Sequence, residues 1–250
     1  MTEITKPYIV AFDIGKKNFA FVVEEIINKD IFASLPEIKK KDRYHKTGDK
    51  DLIGTATKEF TKVLEKIYST SKVIMVKNHD ITSGAVKSTI LEEKIFLNMY
   101  DVLDQYIDIW NNCEAILIEK QMSFGTGKQN TMAMKLAQHC YSYFIYHYRG
   151  SKHPIEFPAY LKTQLLGAPK HFGTITKTFK NGNTKEIKDN RKRWAARKAT
   201  EILKSRNDTN TLDAIETKHD RKQQQDDMSD CLLMCEAYCL ARYYDGQTFT

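Results

Sequence analysis

Two apolar runs near the start of the chain constrain its fold most. Tyr8–Ile14 and Phe19–Glu25 are both rich in strand formers, and only Gly15-Lys16-Lys17-Asn18 separates them. So short a connection joins antiparallel neighbours, which predicts a β-hairpin. Lys72–His79 is a third strand candidate. Ala115–Glu119 is nearly continuous in apolar residues, as suits a buried central strand, and Pro154–Phe157 is a short fifth candidate. Helices are predicted from about Leu52 to Tyr68, over Thr89–Trp110 and Thr131–Tyr148, and later over Trp194–Lys204 and Met228–Tyr243. Three strands in antiparallel style come first, and strands alternating with helices follow. The expected class is therefore α/β, a mixed five-stranded sheet flanked by helices. In such a sheet the first and fourth strands can lie side by side at the centre. A late helix can then lay its first turn over their ends.

At 250 residues the chain fits one domain, and 13 Tyr, 12 Phe and 2 Trp supply ample core material. Phe19–Val23 and Cys231–Leu240 are the best apolar stretches, far short of the roughly 20 residues a membrane span needs. The first residues resemble neither a signal peptide nor a transit peptide. Five cysteines with no Cys-x-x-Cys pair predict a reducing compartment, cytosol or nucleus, and no secretion.

Charge is unevenly spread. Ten basic residues and only Glu186 and Asp189 lie between Lys170 and Lys198, so this segment alone exceeds the net charge of +7 of the whole chain. Its glycines, threonines and asparagines predict a long exposed loop running into a helix. Such a run suits a phosphate backbone, though a merely solvated loop has the same composition.

Acids stand where strands should be apolar. Asp13 interrupts Val-Ala-Phe-Asp-Ile-Gly, and Glu119 follows four apolar residues in Ala-Ile-Leu-Ile-Glu. Burying either without a partner would be costly. Asp226, Asp227 and Asp230 are expected to open the last helix, where capping would also account for them; Asp227 and Asp230, three apart, share a face, and Asp226 and Asp230, four apart, could do likewise. Converging oxygen ligands without His or Cys are what Mg²⁺ or Mn²⁺ take, and two such ions can drive phosphodiester cleavage.

With those residues in view, Ile9-Val-Ala-Phe-Asp13-Ile-Gly-Lys-Lys-Asn18-Phe-Ala20 resembles the first motif of Holliday-junction resolvases of the RuvC type, in the form of the poxviral and fungal mitochondrial branch. Ile116-Leu-Ile-Glu119-Lys-Gln121 resembles the second motif, and Asp227-Met-Ser-Asp230 the C-terminal one. Phe157-Pro158-Ala-Tyr-Leu-Lys162, followed by Gly167, is similar to the segment that carries a basic residue near the scissile phosphate. Arg191–Lys198 is similar to the basic start of the next helix. The resemblance covers about residues 7–26 and 113–243. Against it, residues 27–70 form an insert and residues 170–192 a long basic loop.

The resemblance implies an RNase H-like fold, four-way-junction DNA as substrate, a homodimer, and Mg²⁺-dependent paired nicking with about two ions per site. No membrane and no nucleotide cofactor are expected. It makes Asp13, Glu119, Asp227 and Asp230 the metal ligands, with Asp226 in reserve, and Lys162 a phosphate-facing cation. DNA contacts are expected from Lys16, Lys17, Lys128, Lys170, Arg191, Lys192, Arg193 and Arg197. The viral branch adds a cytoplasmic replication site as a location.

Competing readings remain at this point. A nuclease of the same fold acting on flaps or RNA–DNA hybrids would carry the same acids, and a non-catalytic junction-binding protein is a further alternative. A sugar-kinase-like ATPase would need a second Asp-x-Gly phosphate motif, and Asp245-Gly246 lies too late to serve. Cys231, Cys235 and Cys239 are read as one buried stripe. His139 and His147 are read as surface or interface residues, the aromatics of residues 141–148 as packing or a dimer interface, and Phe124–Gln129 as a DNA-contacting loop.

Overall fold

The computed structural model describes residues 7–85, 90–121, 131–178, 182, 184–216 and 222–249. Strands β1 (Tyr8–Ile14), β2 (Phe19–Ile26) and β3 (Ser71–His79) form an antiparallel meander, interrupted by helices α1 (Asp30–Ser34) and α2 (Lys58–Tyr68). Helices α3 (Glu93–Gln105) and α4 (Ile107–Asn111) lead to β4 (Cys113–Lys120), which pairs parallel with β1. Helix α5 (Thr131–Tyr148) precedes β5 (Pro154–Pro158), parallel to β4. Then come α6 (Ala159–Leu165), β6 (Thr174–Thr178), β7 (Thr184–Lys188), α7 (Arg191–Ser205), α8 (Thr209–Glu216) and α9 (Lys222–Cys239). The five-stranded sheet has the order β3-β2-β1-β4-β5 and is RNase H-like. No helix among the described residues is long and apolar enough to cross a membrane.

Strand alternation splits the sheet into two faces. Val10, Phe12 and Ile14 of β1 and Ile116 and Ile118 of β4 face α3, α4 and α5. There Phe12 meets Phe19, Phe21, Trp110 and Phe144 at ring centroid distances of 5.4–5.8 Å. Burial of each such ring stabilises the fold by about 1.5–3 kcal/mol. Ile9 and Ala11 of β1 and Ala115 and Leu117 of β4 face the other way, toward α2, α7 and α9. Helix α9 is buried on every side from Cys231 to Cys239, a stretch apolar all round except for Glu236. The cysteine stripe lies inside this core: Cys231 Sγ points to the carbonyl of Ala20 at 3.6 Å and Cys235 Sγ to that of Val22 at 3.9 Å.

Several boundaries differ from the sequence reading. Helix α2 starts at Lys58 rather than Leu52, because the Thr57 side chain caps it by accepting from the Phe60 amide. The long helix expected over 89–110 breaks at Tyr106, and the Trp110 indole N–H takes the Leu103 carbonyl at 2.8 Å. The segment expected as a basic loop holds the antiparallel hairpin β6–β7. Its Thr-Ile-Thr repeat alternates as a strand should, a pattern its charge obscured. Helix α2 of the insert contributes Phe60, Val63, Leu64 and Ile67 to the main core, so the insert is partly structural.

Candidate active site

The site follows from strand register. Phe12 pairs with Ile118, so Asp13 and Glu119 lie next along neighbouring parallel strands. Both continue the face that packs on α9, two residues beyond its last apolar positions, Ala11 and Leu117. Helix α9 begins at Lys222, earlier than the sequence suggested, so Asp227 and Asp230 sit inside the helix rather than at its cap. Capping therefore does not account for them. They share with Asp13 and Glu119 a cleft of about 220 Å³ that also holds Asn18 and Lys192 on its walls. Asp227 lines this cleft, and Asp226 is not among the described residues that do.

Lys162, on α6, is 3% exposed and enters the cluster from below. Its ammonium lies 2.7 Å from Glu119 Oε1 and 2.9 Å from Asp230 Oδ2. The electrostatics follow. Burial, then repulsion from Glu119 and Asp227, holds the Asp13 carboxyl well above the usual aspartate range. Burial pushes Asp227 up to about 7, against the pull of Lys192. Burial also raises Asp230 despite its contact with Lys162. Glu119 is equally desolvated, yet the ammonium of Lys162 and a hydrogen bond with Asp13 bring it below its ordinary value. One acid of the set is thus held ionised while its neighbours resist ionisation.

This donor set fits a hard divalent cation. It is all oxygen, and the excess negative charge that lifts Asp13 and Asp227 is the kind a bound dication relieves. Asn18 Oδ1 is buried in the same cleft with no hydrogen-bond partner among the described residues. As the side chains stand, no three acidic, histidine or cysteine groups among the described residues are already arranged around one ion. Two of the four carboxylates, Glu119 and Asp230, are instead paired with the Lys162 ammonium.

The basic residues expected at DNA divide. Lys16 and Lys17 sit in the β1–β2 turn beside the cleft, where the Gly15 amide donates to the Asn18 carbonyl at 3.0 Å. Lys192, in the first turn of α7, lines the cleft itself. Arg191 and Lys170 line a neighbouring cavity instead. Arg193 donates to the Lys188 carbonyl, and Arg197 makes a two-pronged ion pair with Asp189 at 3.0 and 2.7 Å. Arg197 is thus committed within the protein. Lys128 and the Phe124–Gln129 segment lie outside the described residues. His139 Nδ1 and the Tyr100 hydroxyl share a hydrogen bond at 2.9 Å, and the imidazole packs tilted against Phe96, an α3–α5 contact. The sequence reading assigned no role to Asn18 or Gln121, which both line the cleft. Their only signal was their place beside the acids in the two strand-end motifs.

Comparison with known proteins places the chain among viral proteins. It is 33% identical over 242 residues to uncharacterized protein 170L of Invertebrate iridescent virus 6, covering 92% of this chain and 88% of that protein. It is 28% identical over 237 residues to uncharacterized protein 97L of Invertebrate iridescent virus 3, covering 92% and 98%. No family model matches, and no solved structure matches significantly. The chain belongs to the family of the iridovirus 170L protein.

Proposed function

We propose that this member of the 170L family is a divalent-metal-dependent endonuclease that resolves four-way DNA junctions by paired symmetric nicks. One observation carries the reading. Asp13, Glu119, Asp227 and Asp230 converge from β1, β4 and α9 on a single cleft with cationic Lys192 at its wall. Four carboxylates gathered without a structural partner for each are costly, and such clusters mark sites of function.

Those four residues are the ones that would hold Mg²⁺ or Mn²⁺, which would supply an activated water and a counter-charge for the leaving oxygen. The chain's own groups do the remaining work. Lys162 keeps Glu119 ionised, the state a ligand requires. Lys192 at the start of α7 attracts a phosphate toward the cleft, helped by the positive end of that helix's dipole. Lys16 and Lys17 extend the positive rim on the side of the β1–β2 turn.

Paired nicks require two sites, so a homodimer belongs to this reading. Tyr146, 70% exposed near the end of α5, and Leu97, 46% exposed on α3, lie on the helical layer opposite the acid face and suit such an interface.

The test is Asp13→Asn with a labelled junction. Cleavage in Mg²⁺ should be lost while junction binding is kept or tightened, because a ligand and a negative charge are removed together. A variant that cuts as fast as the parent would end the metal-site assignment.

A further inference from the structure

Beside the acid cleft lies a second cavity of about 420 Å³, within the range of small-ligand pockets. Its chemistry is the opposite of its neighbour's. Tyr44, Tyr160 and Phe172 supply rings, Lys46, Lys170 and Arg191 supply cations, and no acid is among the described residues that line it. We propose that this cavity binds one unstacked base of the DNA, with the adjoining phosphates on Lys170 and Arg191, and that the insert over residues 27–70 exists in part to wall it. The inference rests on the nuclease reading for its substrate.

Placement ties the cavity to the cleft twice over. On α6, Tyr160 opens into the cavity while Lys162, two residues on and so on another side of the helix, enters the acid cluster. On α7, Arg191 lines the cavity while Lys192 lines the cleft. Two helices thus divide near-neighbour residues between the two spaces, so a strand in one is within reach of the other. Tyr160 is 46% exposed, which leaves its ring available as a stacking platform.

The wall contributed by the insert is built rigidly. Tyr44 and Ala56 form a β-bridge, the Gly54 amide donates to the His45 carbonyl at 2.8 Å, and the Lys170 amide donates to the Ile53 carbonyl at 2.8 Å. The Tyr44 hydroxyl donates to the Leu165 carbonyl at 2.8 Å. Gly54 and Gly167 have φ of +94° and +80°, and a Cβ on them would come within 3.0 Å of the Ala168 carbonyl and 2.9 Å of the Ala56 amide. Only glycine allows both the backbone and the approach. The insert is therefore held against the segment after α6, with the cavity preformed between them.

The experiment walks a single abasic site through the positions flanking the crossover of a four-way junction and measures binding by fluorescence anisotropy. It uses the cleavage-blocked Asp13→Asn background, with and without Tyr160→Ala, and with Phe172→Ala as a second variant. One or two adjacent abasic positions should weaken binding about tenfold in the background protein. In both ring variants the intact junction should bind about as weakly as that, and the same abasic positions should cost nothing further. A flat abasic profile, or a dip that survives both ring substitutions, would overturn the proposal. Cleavage by the parent protein in Mg²⁺ reports separately on the nuclease reading. A protein that cuts junctions but gives a flat profile keeps the nuclease and loses the pocket. A ring-dependent dip without cleavage keeps the pocket and loses the nuclease.

Discussion

The Lys162 ammonium sits 2.7 Å from Oε1 of Glu119, buried beneath the acid cleft, and reaches Asp230 from the same position. It is the buried counter-charge of a cluster that would otherwise set four carboxylates against Lys192 alone. Removing one partner of a buried pair typically costs about 3–5 kcal/mol. Lys162→Met should therefore lower the melting temperature of metal-free protein sharply. Mg²⁺ should then raise it more than in the parent, because the carboxylates freed from the ammonium bind the ion and so stabilise the fold by mass action. Thermal denaturation in EDTA and in Mg²⁺ measures both, and an unchanged metal-free melting point would contradict the pairing.

The acids make a pH prediction with a definite sign. Asp227 is raised from the usual 3.8 to about 7, and Asp13 and Asp230 are raised as well. Such groups bind protons more tightly folded than unfolded, so the stability they contribute is present below about pH 4 and is lost as pH rises through about 7. Metal-free protein should melt higher at pH 5 than at pH 8, by about 2–4 °C for each kcal/mol at this size. Asp227→Asn should flatten that slope and raise the melting point at pH 8. A parent protein more stable at pH 8 than at pH 5 in EDTA would refute the electrostatic picture.

Among the basic residues, Lys192 and Arg197 should behave differently. Lys192 lines the cleft, whereas Arg197 is held by Asp189. Lys192→Ala should weaken junction binding and reduce the slope of log affinity against log salt by about 1. Arg197→Ala should leave the slope alone and, because its guanidinium is 48% exposed, change stability by no more than about 1 kcal/mol. Anisotropy titrations over a salt series separate the two. Equal slope changes would return Arg197 to the DNA surface.

Away from the cleft, Arg206 donates to Glu24 at 2.6 Å and also to Glu236, and both carboxylates are fully buried. Burial holds the Glu236 carboxyl well above its usual value despite the guanidinium. Glu236→Gln should therefore be close to neutral in urea denaturation at pH 7, while Arg206→Met should cost about 3–5 kcal/mol. Similar losses in both would show that Glu236 is ionised in the native protein.

Much of this was legible in the chain, for physical reasons that also mark where legibility stopped. Asp13 and Glu119 stood out because an acid at the end of an apolar strand breaks the pattern around it, and the strand order brought them together. Which of Asp226 and Asp227 faces the cleft needed the rotation of α9 against the sheet, which depends on packing. Lys162 was placed by its motif, but its ion pairs with Glu119 and Asp230 are tertiary. The ion pair of Arg197 was not legible because its partner Asp189 lies eight residues back, before the helix begins. The hairpin β6–β7 hid behind its charge, and the role of residues 44–56 depends on contacts with residues 165–170 more than a hundred positions away.

The most direct test of the central claim is cleavage of a labelled four-way junction in Mg²⁺, with duplex, flap and RNA–DNA hybrid controls, by the parent protein and Glu119→Gln. Symmetric nicks on the junction, absent in the variant and in EDTA, are the predicted result. Cutting confined to hybrid or flap, or no metal-dependent cutting of any substrate, would contradict it.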